Sequence, residues 1–440
     1  MRKINRRSYL LKRNIAGSIV IKAWSGLVQL LLVPLTLKCL NQYEYGVWLT
    51  INSLLVWIDQ FDIGLGNGLR NRLAQSIAQH HFKRARKQVS TTFLMLTLII
   101  IPIYIIISLG VQSVDVYKIF NTTSTEIPHL REILLMSFAF VCSTFILKVI
   151  GNIYLGLQLP AINNLIVVLG QTFGLVGIFI LSKSAYHSFI LVALIYCASP
   201  LLVYIIAYPI TFEKYKFLNP SIKEFDFSEL KGLLFLGANF FIVQLSGLII
   251  FASSNLIISH LFSPAEVTPY QISYRYFSVP IMLFMVISSP LWSATTDAYT
   301  RNDWVWINHA LLLSKQLTIL FGILLIFMLF ISNMIYKVWV GTQIHIPFSL
   351  TVAMSIYSLL VIYSTSYSNI LFGIGKIRLI SIITFIEALL YLPLSVLLGR
   401  KIGLTGIVLS LILVNILCAI FNRIQYVKLK EGTASGVWNK

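Results

Sequence analysis

Charge is what this chain has least of. Only 11% of its 440 residues are charged, with 15 acids against 34 lysines and arginines, whereas a water-soluble domain typically carries about 25%. Hydrophobic residues make up 57% and mean hydropathy is +0.83, which excludes an ordinary soluble core. The four cysteines, Cys39, Cys142, Cys197 and Cys418, lie far apart and form no CxxC or Cys/His cluster, so neither a zinc site nor a disulfide framework is indicated. GIGK at 373–376 lacks the spacing and following Ser/Thr of a phosphate-binding loop, and GLGNG at 64–68 falls short of GxGxxG and follows no strand. ATP hydrolysis and dinucleotide binding thus lose their usual signatures, and no cofactor or metal is expected. No histidine sits deep in an apolar run, which leaves a histidine proton switch unsupported.

What the chain has in abundance is long apolar runs. Spanning helices need about 20 such residues each, and the sequence supplies roughly a dozen. The runs predict helices over 14–37, 46–67, 90–111, 130–152, 161–182 and 187–211, then 235–259, 269–292, 311–334, 347–371, 377–398 and 404–424. The expected fold class is all-α and polytopic, with about 12 transmembrane helices in two six-helix lobes: 1–210, a linker over 211–232, and 233–440 with a tail. MRKINRRSYLLKR opens like a signal peptide, but the following run is too long and has no small-residue cleavage site, so it reads as a retained first span. A shift of 222 residues aligns Glu44, Trp48 and Leu55 with Glu266, Tyr270 and Phe277, which suggests a duplicated unit.

The surplus of positive charge first suggests nucleic acid, because lysine and arginine neutralise phosphates. Topology accounts for it instead. With both termini inside, 24 of the 34 basic residues fall in cytoplasmic segments, 7 outside and 3 within spans, as the positive-inside rule requires. HFKRARK at 81–87 reads as a cytoplasmic loop facing anionic lipid heads, and no nucleic acid is expected as a partner.

Charges within the spans are the candidate functional residues, since each is costly in hydrocarbon. On the second helix Asp62 and Asp59 lie about 12 and 16 Å from an inner boundary near Arg70. Trp48, Asn52, Asp59, Asp62 and Gly66 recur at helical spacing, so that face is expected to meet protein or water, with Leu54, Leu55 and Val56 as apolar surface. Lys22, at comparable depth in the first helix, either pairs with Asp59 or Asp62 or faces a ligand. Arg70 and Arg72 either stop the second helix at the surface or also form a rim that receives phosphate. Lys148 either snorkels to the inner surface or joins a cavity. Arg275, flanked by Gln271 and Tyr274, and Glu387 in the eleventh helix either pair or line a cavity. The eighth helix carries Pro269, Pro280 and Pro290, which predict a kinked or broken span, and its tyrosines 270, 274 and 276 suit either sugar stacking or the membrane interface. Asn239, Ser246 and Ser253 give the seventh helix a weakly polar face.

YGVWLTINSLLVWIDQFDIGLGNGLRNRLAQ, residues 45–75, resembles the second helix and following loop of bacterial polysaccharide flippases of the Wzx type. These belong to the multidrug/oligosaccharidyl-lipid/polysaccharide exporter superfamily, and the chain agrees with them in length, span number and inside termini. The resemblance implies a MATE-like fold in the bacterial inner membrane. It also implies export of an oligosaccharide built on undecaprenyl diphosphate to the periplasmic leaflet by alternating access, with membrane lipids and polysaccharide assembly proteins as further partners. On this reading Lys22, Arg275, Tyr274, Arg70, Arg72 and Lys148 meet the substrate or shape the cavity, and Asp59, Asp62 and Glu387 pair with them or couple an ion. Two other readings stand beside it. A small-cation or multidrug antiporter would share the helices and buried carboxylates. A membrane glycan polymerase or glycosyltransferase is disfavoured by short outer loops and the absence of a DxD-like metal pair beside a large one.

Overall fold

The computed structural model describes residues 2–59, 65–229, 245, 249–250 and 253–439, with backbone alone for 2–19, 59, 67, 78, 289–290, 293 and 297. Every regular element among them is a helix. The chain divides into two compact units, Met1–Gln244 and Leu245–Lys440.

The first unit contains α1 (Arg2–Cys39), α2 (Gln42–Asp59), α3 (Leu65–Ala78), α4 (Phe82–Ser113), the short α5 (Val116–Phe120), α6 (Leu130–Leu147), α7 (Val149–Gly156), α8 (Pro160–Lys183) and α9 (Phe189–Lys214). α1 packs along α8, α8 along α9, and α6 along α9. Trp24 Nε1 donates to Thr172 Oγ1 at 3.0 Å, and Ser25 and Gln171 pair across the same α1–α8 seam. Polar pairs of this kind tie helices together where lipid gives no hydrophobic drive.

The second unit contains α10 (Pro264–Thr300), α11 (Trp304–Val340), α12 (Phe348–Ile374), α13 (Arg378–Ile402) and α14 (Leu404–Lys430). α12 lies against α10 and α14, and α13 against α14. Thr318 with Ser366, Asn369 with Ser288, and Asn422 with Ser368 bridge neighbouring helices at 2.9–3.0 Å. GIGK ends α12: Gly375, at φ +81°, sends its N–H to Leu371 and Phe372, and Lys376 also donates to Leu371. That is a left-handed helix cap, which only glycine adopts without strain.

Nine helices among the described residues are long and apolar enough to cross a bilayer. The expected second and eighth spans correspond to α2–α3 and α10, and the seventh, 235–259, lies mostly outside the described residues. Ile319, Ile323, Phe327 and Phe330 form an exposed stripe along α11, and Leu98, Ile101, Ile105 and Leu109 another along α4. Such continuous apolar surface belongs in acyl chains rather than water. The protein is a multi-pass membrane protein.

Several boundaries differ from those the hydropathy predicts. α1 begins at Arg2, because Arg, Lys and Leu are good helix formers even where they are not apolar. The 46–67 helix appears as α2 and α3, and α3 runs on to Ala78, so Arg70 and Arg72 do not terminate it. Leu65, Leu69 and Leu73, four residues apart and fully buried, carry α3 between α4 and α7. The 130–152 helix is interrupted at Lys148. α10 is continuous through its prolines rather than broken: Ser358 of α12 donates to the Phe277 carbonyl at 3.1 Å, and Ser278 to that of Arg275 at 2.8 Å. Hydroxyls from this helix and its neighbour thus add hydrogen bonds to the turn that precedes Pro280.

Candidate functional site

The first unit contains a partly open cavity of about 370 Å³ between α2, the α6–α7 junction, α8 and α9. Trp48 and Asn52, one turn apart on α2, line it, and Leu55 and Val56 of the same helix line it too. The sequence assigns the last two to a separate apolar surface; they share the cavity because they stand two turns from Trp48. Trp48 is 2% exposed and packs on Tyr196 at 5.2 Å and Phe189 at 6.5 Å between ring centres. Tyr196 in turn shares a 2.7 Å hydrogen bond with Thr36 of α1. Gln171, held by Ser25, and Thr144 add polar atoms to the wall.

Lys148 borders the same cavity from the single residue between α6 and α7, where its backbone N–H donates to Thr144 at 2.9 Å. Its position at an interrupted helix, beside space large enough for water, lets an ammonium stay hydrated within a span. The wall therefore combines aromatic faces, amides, hydroxyls and one cation. Aromatic faces accept the C–H surfaces of sugars, amides bond their hydroxyls, and an ammonium suits a phosphate.

In the second unit, Glu387 of α13 is 2% exposed and accepts the backbone N–H of Cys418 of α14 at 2.8 Å. That contact, and not Arg275, is what the carboxylate meets. Arg275 and Tyr274 lie half-buried on α10, with Tyr274 stacked parallel to Tyr270 at 6.5 Å. Tyr270 and Tyr276 are buried, so these tyrosines do not serve as interface anchors. Tyr391 shares a 2.6 Å hydrogen bond with Ser254, and Gln271 donates to Asn255 at 2.6 Å. Tyr357 is 1% exposed, lies near Tyr270, Tyr274, Tyr391 and Glu387, and its hydroxyl has no partner among the described residues. Ser253 is half-buried, whereas Asn239 and Ser246 lie outside the described residues.

The remaining candidates are dispersed. Lys22 is exposed on α1 and Arg70 on α3. Asp59 ends α2 with only its backbone described, and Asp62 lies outside the described residues, so the Lys22 pairing does too.

Arg72 is engaged by a carboxylate. It contacts Glu229 at 3.3 Å, and Arg84 reaches the other oxygen of that carboxylate at 2.6 Å while Gln88 donates at 3.1 Å. Nearby, Lys87 pairs with Asp226 at 3.1 Å, Arg86 contacts Glu224 at 3.6 Å, and Asp226 N–H donates to Thr91. HFKRARK thus supplies the cap and first turns of α4 and grips the 216–229 segment, which holds three of the chain's 15 acids. Burial pushes the Glu229 carboxyl up, but the Arg84 and Gln88 hydrogen bonds with the Arg84 and Arg72 charges hold it below its usual range. Hydrogen bonds from Ser228 and Lys87 hold Asp226 at about 2. The sequence carried one signal of this clasp, the opposition of an acidic linker to a basic loop on the same predicted side.

Bilayer-length helices in two compact units, one holding a largely apolar cavity with amides, hydroxyls and Lys148 in its wall and the other a buried carboxylate, define a multi-pass membrane protein. A MATE-family multidrug resistance transporter of the MOP superfamily, in its inward-facing conformation, superposes with a TM-score of 0.71 over 95% of this chain and 96% of its own at 16% identity. The lipid II flippase MurJ, inward closed, gives 0.71 over 93% and 87%, also at 16%. The chain belongs to the polysaccharide biosynthesis protein family, whose model matches residues 11–294. It is 22% identical over 390 residues to a Salmonella typhi protein provisionally named an O-antigen transporter, covering 88% of each. It is 23% identical over 412 residues to a Yersinia pseudotuberculosis protein provisionally named an O-antigen export protein, again covering 88% of each.

Proposed function

We propose that this protein is a flippase that carries an oligosaccharide linked to undecaprenyl diphosphate from the cytoplasmic to the periplasmic leaflet of a bacterial inner membrane. It is a transporter and not an enzyme, with both termini cytoplasmic. Family membership over most of the chain supports the cargo class. The observation that carries the mechanism is the first unit's cavity, where Lys148 stands among Trp48, Asn52, Gln171 and Tyr196.

The physical need is large. Each sugar hydroxyl taken unpaired through hydrocarbon costs about 2–7 kcal/mol, so a polar passage must replace water while the lipid tail stays in the bilayer. Cations on that passage suit the diphosphate, and outward movement of an anion from a negative interior gains roughly 2.3 kcal/mol per charge per 100 mV. Lys148 contacts the diphosphate or the sugar nearest it. Lys22, Arg70 and Arg275 shape the potential along the route, and Tyr274 borders it. Arg72 acts through the clasp on Glu229. Glu387, Asp59 and Asp62 serve as pairing or ion-coupling groups, with Lys22 the pairing candidate for Asp59 or Asp62. Polysaccharide assembly proteins receive the cargo on the far side.

A deletion strain tests this reading. It should accumulate the lipid-linked repeat on the cytoplasmic face and lose surface polysaccharide, both restored by the wild-type chain. Normal polysaccharide in the deletion strain, together with robust export of cationic dyes by the chain, would make it an antiporter instead.

A further inference from the structure

The second unit holds another cavity, of about 280 Å³, which the transport reading leaves unused. It lies at the end of α11, bounded by that helix's last turns, the 341–347 loop and the start of α12. α11 begins at Trp304, which packs in a cluster with Tyr426 and Leu429 near the end of α14. The helix is 37 residues long, so its other end lies roughly 55 Å away at 1.5 Å per residue.

The floor of this cavity is satisfied. Tyr336 is buried and donates to Ser273 at 3.3 Å, and Ser332 donates to the Leu329 carbonyl of its own helix at 2.7 Å. The rim is not. Asn333 and Lys337, one turn apart on α11, and Thr342 and His345 of the loop bring an amide, an ammonium, a hydroxyl and an imidazole to one space. None of these four side chains has a partner among the described residues. Phe348, the first residue of α12, also borders the cavity, and Pro347 before it offers no side-chain cap, so the first N–H groups of α12 add positive potential at that end.

The surface beside the cavity says what kind of anion fits. Phe330, Met334 and Val338, at four-residue steps on α11, are 81%, 68% and 80% exposed, and Phe348 is 65% exposed. They continue the lipid-facing stripe of α11 up to the level of Lys337. A cationic, hydrogen-bonding hollow at the end of a bilayer-length helix, flanked by bare apolar surface, matches a molecule with an anionic head and acyl tails. We propose that this cavity binds the phosphate of an anionic membrane phospholipid, with Lys337 as its ion-pairing group and the acyl chains along Phe330, Met334 and Val338. The site is separate from the cargo cavity and does not depend on what the protein transports.

Photolabelling of the full-length protein in nanodiscs tests it. The probe is phosphatidylglycerol carrying a diazirine on one acyl chain, in a phosphatidylcholine background, with labelled peptides mapped by mass spectrometry. Labelling is expected within residues 330–348, falling about fivefold in Lys337→Gln and persisting in Lys337→Arg, as one lysine near a membrane surface is worth. Excess inorganic phosphate should compete more strongly than chloride at equal ionic strength, which separates recognition of the phosphate group from screening. Equal labelling by a phosphatidylcholine probe overturns the proposal. So does labelling unchanged in Lys337→Gln, or reduced as much by Lys315→Gln, 22 residues away on the same helix.

Discussion

Arg84 donates through Nε to Glu229 at 2.6 Å, fastening the acidic segment after α9 to the first turn of α4. Glu229 is 7% exposed and takes Arg72 and Gln88 on its second oxygen, so the bond sits inside a network and not on a free surface. Replacing it with glutamine removes the charge that three donors share. Hydrogen bonds to charged groups contribute about 1.5–3 kcal/mol, and the lower end applies here because Arg84 is half in solvent. Amide exchange across 216–229 in Glu229→Gln should therefore rise roughly tenfold, with no change in α8.

The same clasp should resist acid over a defined range. Asp226 is held at about 2 against its ordinary 3.8, and Glu229 is also lowered, so the released segment binds more protons than the docked one. Docking thus contributes in full above the ordinary carboxylate range and weakens as pH falls toward about 2. Exchange of the 216–229 amides, corrected for intrinsic rate, should be flat from neutrality to about pH 5 and climb below about pH 4. A rise centred near neutrality would contradict this assignment.

Much of the architecture is legible in the chain because hydrocarbon imposes one rule, helices long enough to cross it. Positions of the long apolar runs follow directly from that rule. It says nothing of polar residues at their ends, which is why α1 and α4 start early and α3 extends past Arg72. Trp48 and Asn52 were legible as a polar face on one helix. Gln171 and Tyr196 were not, since a lone polar residue on an otherwise apolar helix declares its partner only when α8 meets α1 and α9. The Glu229 network escaped for a similar reason: its members are up to 157 residues apart, and no local pattern joins them.

Lys148 offers a direct test of the cargo cavity. If its ammonium meets an anionic or hydroxyl-rich cargo, Lys148→Gln loses a charge-assisted hydrogen bond, equivalent to about tenfold or more in transport. Lys148→Arg should keep most activity, because the charge remains. Export measured at equal membrane insertion checks this, and an unimpaired Lys148→Gln would remove the residue from the mechanism.

Glu387 can be separated from its structural role by a conservative change. Glutamine retains a carbonyl oxygen for the Cys418 N–H, so Glu387→Gln should fold and insert normally. If the carboxylate couples an ion, transport by this variant should no longer respond to an imposed proton or sodium gradient, while basal exchange persists. A gradient response equal to wild type would leave Glu387 as a helix-packing group.

Reconstituted vesicles bearing a fluorescent oligosaccharide on undecaprenyl diphosphate give the decisive readout, because a membrane-impermeant lectin or glycosidase reports which leaflet holds the sugar. Vesicles containing the chain should move the sugar across far faster than empty ones, and Lys148→Gln should slow the movement. Equal rates with and without the protein, under every ion gradient tried, would contradict the flippase reading.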